Sequence, residues 1–396
     1  MMQRPVLSAL IAACLALPAA ADWSQIEAAA RGQTVYWHAW GGDERTNDFI
    51  AWAGRETERR HGVSIVHVKL SSTSEAVARV LSERAAGRDS GGAVDLIWIN
   101  GPNFLSMKEQ GLLFGPFVAD LPNARYVDLS PEAPASLDFT VPVEGLESPW
   151  RLARFVFVHD SARVPDPPRR MADFPAWAEA NPARLTHPNP ANFMGATFLK
   201  QALVELSPDP AALLLPPDDA SYAAQTGPLW DWYDCLLPHL WRSGRDFPEN
   251  ESVQAQLLSD GEIDITMAFD PAFAAAGIAR GLLPETARVF VPETGSIGNV
   301  SFVAIPYNAA NREGAMVVAN FLLDPATQAR QQDITVLGAF SVLDQNRLSE
   351  AERALFAALP AHPALPTLED LGPTLAEPHP DWMTRLTEDW ARRYTR

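Results

Sequence analysis

Val94-Asp95-Leu96-Ile97-Trp98-Ile99, followed at once by Asn100-Gly101-Pro102, is the stretch whose reading decides the fold. Apolar except for Asp95, the run matches a strand buried on both faces, as strands inside parallel sheets are. Pro102 is well placed at the first turn of a following helix. The same strand-then-helix rhythm recurs upstream. Thr34 to Trp40 (TVYWHAW) is β-branched and aromatic; Gly41-Gly42 then leads into a helix expected from Asp43 to Arg60, with Phe49, Trp52, Ala53 and Glu56 at three- and four-residue spacings. Val63 to Leu70 is a further strand. Ser72 stands three residues before Glu75, a capping box for a helix carrying Val77, Val80 and Leu81, with Gly87 as its stop. Strands alternating with helices at this spacing give an open α/β sheet with crossover connections.

A second unit is expected from about Glu147. Arg154 to His159 (RFVFVH) reads as a strand, Phe193 to Leu206 as a helix opening after Asn192, and Ser207 to Asp219 as a Pro-rich surface excursion. Ile263 to Phe269 (IDITMAF) is a buried-strand pattern ending in Asp270-Pro271. Val300 to Ile305 is expected to carry the chain back to the first unit, and Asn311–Leu323 and Pro325–Gln332 read as helices. Amphipathic stretches follow at Ala351–Leu359 and Trp382–Tyr394. The expectation is an α/β protein of two lobes, with open mixed sheets flanked by helices and a hinge between them. Residues 22–146 with 300–340 form one lobe, and 147–299 with 341–396 the other.

The first residues read as an export signal. Arg4 supplies the positive charge, Val6 to Leu17 is apolar apart from Ser8, and Pro18-Ala19-Ala20-Ala21 offers small residues for cleavage before Asp22. Ile11-Ala12-Ala13-Cys14 also fits a lipidation site at Cys14, although the residues after it are apolar where a lipid-anchored chain begins a polar tether. A chain of 396 residues with 47% apolar content suits two domains. Its net charge of -18 disfavours nucleic acid and anionic membrane surfaces. Cleavage would leave Cys235 alone, excluding an intrachain disulfide.

Signatures of catalysis are missing from the sequence: no P-loop, G-x-G-x-x-G, H-E-x-x-H, C-x-x-C or G-x-S-x-G occurs, and the eight histidines are scattered without metal-ligand spacing. No cofactor or metal is therefore expected. What recurs is position. Polar, aromatic and glycine residues cluster just past strand ends, at Trp40-Gly41-Gly42-Asp43, Asn100-Gly101-Pro102-Asn103 and Phe269-Asp270, where open α/β sheets bind their ligands. Trp150 and Arg151 at the crossover, Asn192 and Phe193 at a helix start, and Asn299 ahead of the returning strand complete the expected site. Each has an ordinary reading too. Gly41-Gly42 can be a tight turn, Asp43 and Asp270 can be helix caps, and Trp98, in mid-strand, is expected in the core with Trp150 in the cleft. Two lobes presenting such edges would close on a small solute. The rival reading is an exported hydrolase using Glu147 and Asp270 as an acid pair, and a third is a sensory subunit.

Several segments carry a resemblance. VYWHAWGGDERTNDFIAWAGRE (35–56), DSGGAVDLIWINGPNFLSMKEQGLL (89–113), ESPWRLARFVFVHD (147–160), HPNPANFMGATFLKQAL (187–203) and VANFLLDPATQARQ (318–331) are similar to the YnjB-type solute-binding proteins of ABC importers. The likeness runs from about Thr34 to Leu343. It implies a type 2 periplasmic-binding fold with two or three hinge crossings, a monomer in the periplasm, and delivery of the solute to an inner-membrane permease and its ATPase. It also implies thiamine as one candidate solute. A thiazolium cation would suit aromatic faces and carboxylates such as Trp40, Trp150, Phe269, Asp43 and Asp270. The same residues would suit another small cation or a stacked sugar, while helix N-termini favour anions. The ligand class stays open at this level.

Overall fold

In the computed structural model, residues 22–367 and 369–395 are described; the export signal and Cys14 lie outside them. Eleven strands occur among these residues: β1 (Thr34–Trp40), β2 (Ser64–Leu70), β3 (Leu96–Ile99), β4 (Leu137–Asp138), β5 (Val141–Pro142), β6 (Glu147–Arg154), β7 (Val156–Asp160), β8 (Ile265–Ala268), β9 (Ala287–Phe290), β10 (Ser296–Ala304) and β11 (Thr374–Leu375). β2, β1 and β3 run parallel, β10 is antiparallel to β3, and β6 is antiparallel to β10. A second, antiparallel sheet has the order β8-β7-β9. β4 and β5 form a small hairpin.

The helix after β1 spans Glu44–His61, capped by the Asp43 side chain and closed by Gly62 in the left-handed conformation. The helix after β2 starts at Ser74, later than the Ser72 capping box implies. Glu75 Oε1 accepts from the backbone N–H groups of both Ser71 and Ser72, so the carboxylate holds the incoming loop. The helices Phe193–Leu206 and Pro325–Gln332 match their expected ranges.

β7 explains why the second lobe is stable. Phe155 and Phe157 point into an aromatic core with Phe174, Phe198, Tyr233 and Trp390, while Val156 and Val158 point into a separate apolar core with Ala274 and Ala275. Alternating side chains thus bury both faces of one strand. The first lobe has its own core around Trp37, Phe49, Ile97, Phe302 and Val318.

The lobes divide differently from the sequence expectation. Glu147–Arg154 belongs to the first sheet, paired with β10 along its length; the crossing falls at Phe155. Val342, Leu343 and Leu348 pack in the first core, so residues 341–348, which the sequence reading assigns to the second lobe, stay with the first. The tail then returns. Leu371 packs in the second lobe, β11 pairs with Ser296 and Ile297, and the helix Pro380–Tyr394 enters the aromatic core through Trp382 and Trp390. Three segments therefore join the lobes: β6 to β7, β9 to β10, and the tail.

Candidate functional site

A cavity of about 520 Å³ lies between the lobes, within the range of small-molecule sites. Eleven of the fourteen expected residues line it: Trp40, Gly42, Asp43, Asn100, Asn103, Arg151, Asn192, Phe193, Phe269, Asp270 and Asn299. Gly41, Gly101 and Trp150 do not. Gly41 and Gly101 act one layer behind. Gly101 has φ +56, and a Cβ there would sit 2.8 Å from the Phe139 ring; its N–H donates to Asp138 at 2.6 Å. Gly42 is required in front: a Cβ would come within 2.5 Å of the Trp40 indole, which folds back over its own turn.

Trp150 and Trp98 exchange the places expected of them. Ser301 pairs with Arg151 and Phe302 with Pro149, so Trp150 is the extra residue of a β-bulge, the device that re-aims side chains near sites. Its ring is fully buried, edge-on to Trp37 and Trp98 and stacked on Phe49. Its carbonyl accepts from Gln328 and Gln331. Trp98, in mid-strand, instead lines the cavity, with the Arg151 guanidinium 4.5 Å from its ring centre.

Asp43 serves mainly as a cap. Its carboxylate accepts from Arg45 N, Arg45 Nε and Thr46 Oγ1. Burial pushes its pKa up, but the Arg45 charge and these hydrogen bonds outweigh it and hold the group below its ordinary value. Arg45 reaches across, its guanidinium 5.3 Å from the Phe273 ring centre in the second lobe. Asp270 is different. It caps nothing with its side chain, its Oδ1 is buried without a partner, and burial raises its pKa against the pull of Arg151 and Arg45. Asn192 caps its helix through Oδ1 to Met194 N at 2.8 Å, and Phe193 packs on Phe269 and Phe139.

Four functional residues escape the sequence reading. Glu251, half-buried at the start of the helix Glu251–Ser259, lines the cavity with Oε2 unpartnered; burial pushes it up to about 7. Ser252 Oγ donates to Gly42 O at 2.9 Å, joining the two lips. Asn250-Glu251, an N-cap followed by an acid, is the signal that could have placed both. Lys200 and Glu377 form a fully buried pair at 2.6 Å, and Asn299 Nδ2 donates to Glu377 Oε1 at 2.8 Å. No sequence signal links a mid-helix lysine to an acid in the tail.

The amide groups are thereby oriented. Asn299 has its Nδ2 occupied by Glu377, and Asn100 has its Nδ2 occupied by Val300 O at 2.6 Å. Asp270 Oδ1 and Glu251 Oε2 are unpartnered buried acceptors, and Arg151 Nη1 is an unpartnered buried donor. The acid pair of the hydrolase reading is not assembled: Glu147 is fully buried behind the site, does not line the cavity, and is raised well above its ordinary pKa by burial and by the charge of Asp138. Among the described residues, no group of three or more His, Cys, Asp or Glu could hold a metal ion.

The chain is 43% identical over 376 residues to YnjB of Escherichia coli strain K12, covering 95% of this chain and 94% of that one. Its fold matches the periplasmic binding protein AfuA from Actinobacillus pleuropneumoniae, solved with fructose-6-phosphate, at TM-score 0.62 and 14% identity over 91% of this chain and 98% of that one. It also matches a periplasmic thiamin binding protein at TM-score 0.62 and 15% identity, covering 91% and 95%. The fold is that of type 2 periplasmic binding proteins. Residues 52–352, more than half of the chain, match the model of the bacterial extracellular solute-binding proteins, and the chain belongs to that family.

Proposed function

We propose that this protein is the exported receptor of an ABC importer, cleaved after Ala21, that captures a small solute by hinge closure and presents it to a membrane permease and its ATPase. The observation that carries the reading is the cavity itself. Side chains from strand ends of both lobes meet in it, and Ser252 of one lip bonds Gly42 of the other. A solute touching both walls favours the closed form by its differential contacts. The protein works as a monomer in the periplasm, binds rather than transforms its solute, and is released by cleavage rather than anchored through Cys14. The solute carries a cationic group, for which thiamine is one candidate. The acceptors Asp270 Oδ1 and Glu251 Oε2, beside aromatic walls, support that choice.

Small-angle scattering and thermal melting with a solute panel test the reading. The true solute compacts the protein, and at 100 times its Kd it stabilises the fold by about 2.7 kcal/mol. A protein that no solute compacts or stabilises is not a receptor.

A further inference from the structure

Arg151 and Asp270 stand side by side in the cavity without satisfying one another. Arg151 Nη1 lies 3.8 Å from Asp270 Oδ2, close enough for charge attraction and too far for a hydrogen bond. Arg151 is 7% exposed and Asp270 8%, and neither Arg151 Nη1 nor Asp270 Oδ1 has a partner in the protein. The guanidinium is fixed in place: Nε donates to Ser301 Oγ at 3.4 Å, and Cζ lies 4.5 Å and 5.1 Å from the ring centres of Trp98 and Trp150. Buried charges without hydrogen bonds are costly, so this pair is built to be completed by something else.

A singly charged solute completes only half of it. A cation answers Asp270 and is repelled by Arg151; an anion does the reverse. A group bearing both charges a short distance apart answers both at once. Among the other charged side chains that line the cavity, Asp43 and Arg45 pair at 3.3 Å, and Glu44 and Glu251 stand against Arg280, so that no large net field is left for a multivalent ion. Asn100 and Asn299 also line the cavity, their amide nitrogens already donating to Val300 O and Glu377 Oε1.

We propose that the solute is a small zwitterion of amino-acid type, its ammonium and carboxylate separated by a single carbon. Asp270 receives the ammonium, Arg151 grips the carboxylate, and an apolar body rests on the rings of Trp40 and Phe273. This rests on the receptor reading and narrows it.

The test uses the chain from Asp22 onward. Its melting temperature is measured with each common L-amino acid, with the corresponding carboxamides, and with thiamine and putrescine. Native mass spectrometry of protein purified from its own host identifies any retained solute. At least one amino acid is expected to stabilise the wild-type protein, and its carboxamide to bind about tenfold or more weakly. This comparison needs no variant. In Arg151→Gln the preference for acid over amide disappears, and in Asp270→Asn both bind weakly. If thiamine or putrescine stabilises and no amino acid does, if acid and amide bind alike, or if the retained solute lacks either charge, the zwitterion proposal is wrong and the receptor reading stands. If nothing is retained and nothing stabilises, the receptor reading falls as well.

Discussion

Lys200 is a charge with no route to water. Its ammonium meets Glu377 at 2.6 Å and lies 4.2 Å and 4.9 Å from the ring centres of Phe139 and Phe193. Burial lowers its pKa while Glu377 and Asp138 oppose that. Removing one member of such a pair strands the other, so Lys200→Met is expected to destabilise the fold by about 3–5 kcal/mol in denaturant titrations. The double variant Lys200→Met with Glu377→Gln should recover part of that loss. Equal destabilisation in both would mean that the pair matters only as volume. At this scale the sequence is a partial guide. It shows that a tryptophan of the β3–β6 region faces the cleft, but the choice between Trp98 and Trp150 depends on a bulge that exists only once β6 pairs with β10. Lys200 and Glu377 are invisible for the same reason, being joined solely by tertiary packing.

Among the elements, the β4–β5 hairpin supports the site from behind. Asp138 Oδ2 accepts the Gly101 N–H at 2.6 Å, holding the loop that carries Asn100 and Asn103. Burial raises Asp138 to about 8, against the pull of its hydrogen bonds to Gly101 and Asn100. The folded state thus holds this proton more tightly than the unfolded chain does. The associated stability is fully present below the unfolded pKa of about 3.9 and is lost as pH rises through about 8. Asp138→Asn is expected to flatten the fall of melting temperature between those limits, and an unchanged pH profile would assign the effect to the other raised acids, Glu147, Glu251 and Asp270. Elements read from sequence vary in accuracy for physical reasons. Thr34–Trp40 is found residue for residue because its β-branched and aromatic run ends at two glycines. The helix Asp219–Leu236 is missed because Gly227-Pro228 interrupts its pattern, yet Pro228 is accommodated inside it. β6 is absent from the expected elements, where the strand begins at Arg154, because nothing local marks Phe155 as the point where the chain changes sheets.

For the whole molecule, the balance between open and closed forms depends on few contacts across the lips. Ser252 to Gly42 is one, worth about 0.5–1.5 kcal/mol if typical of neutral hydrogen bonds. Ser252→Ala should therefore enlarge the unliganded protein in solution scattering and weaken solute affinity by about two- to tenfold, without lowering the melting temperature of the free form. An unchanged radius with unchanged affinity would show that this contact does not bias closure. Two-lobed α/β architecture and part of the cleft wall are legible beforehand, since strand ends carry recognisable loops. The lobe boundaries are not, because nothing local in Glu147–Arg154 favours one sheet over the other and only pairing with β10 decides.

The tail's return has a consequence for how the protein comes into being. Lys200 must wait for an acid 177 positions further along, and Asn299 takes its orientation from that same acid. During synthesis β1, β2 and β3 can pair early, whereas the Lys200–Glu377 base behind Asn299 is completed last, as contacts distant in sequence are slow to form. A chain not yet complete would hold part of the wall of its pocket but not the base, and would acquire its full grip only when the tail docks.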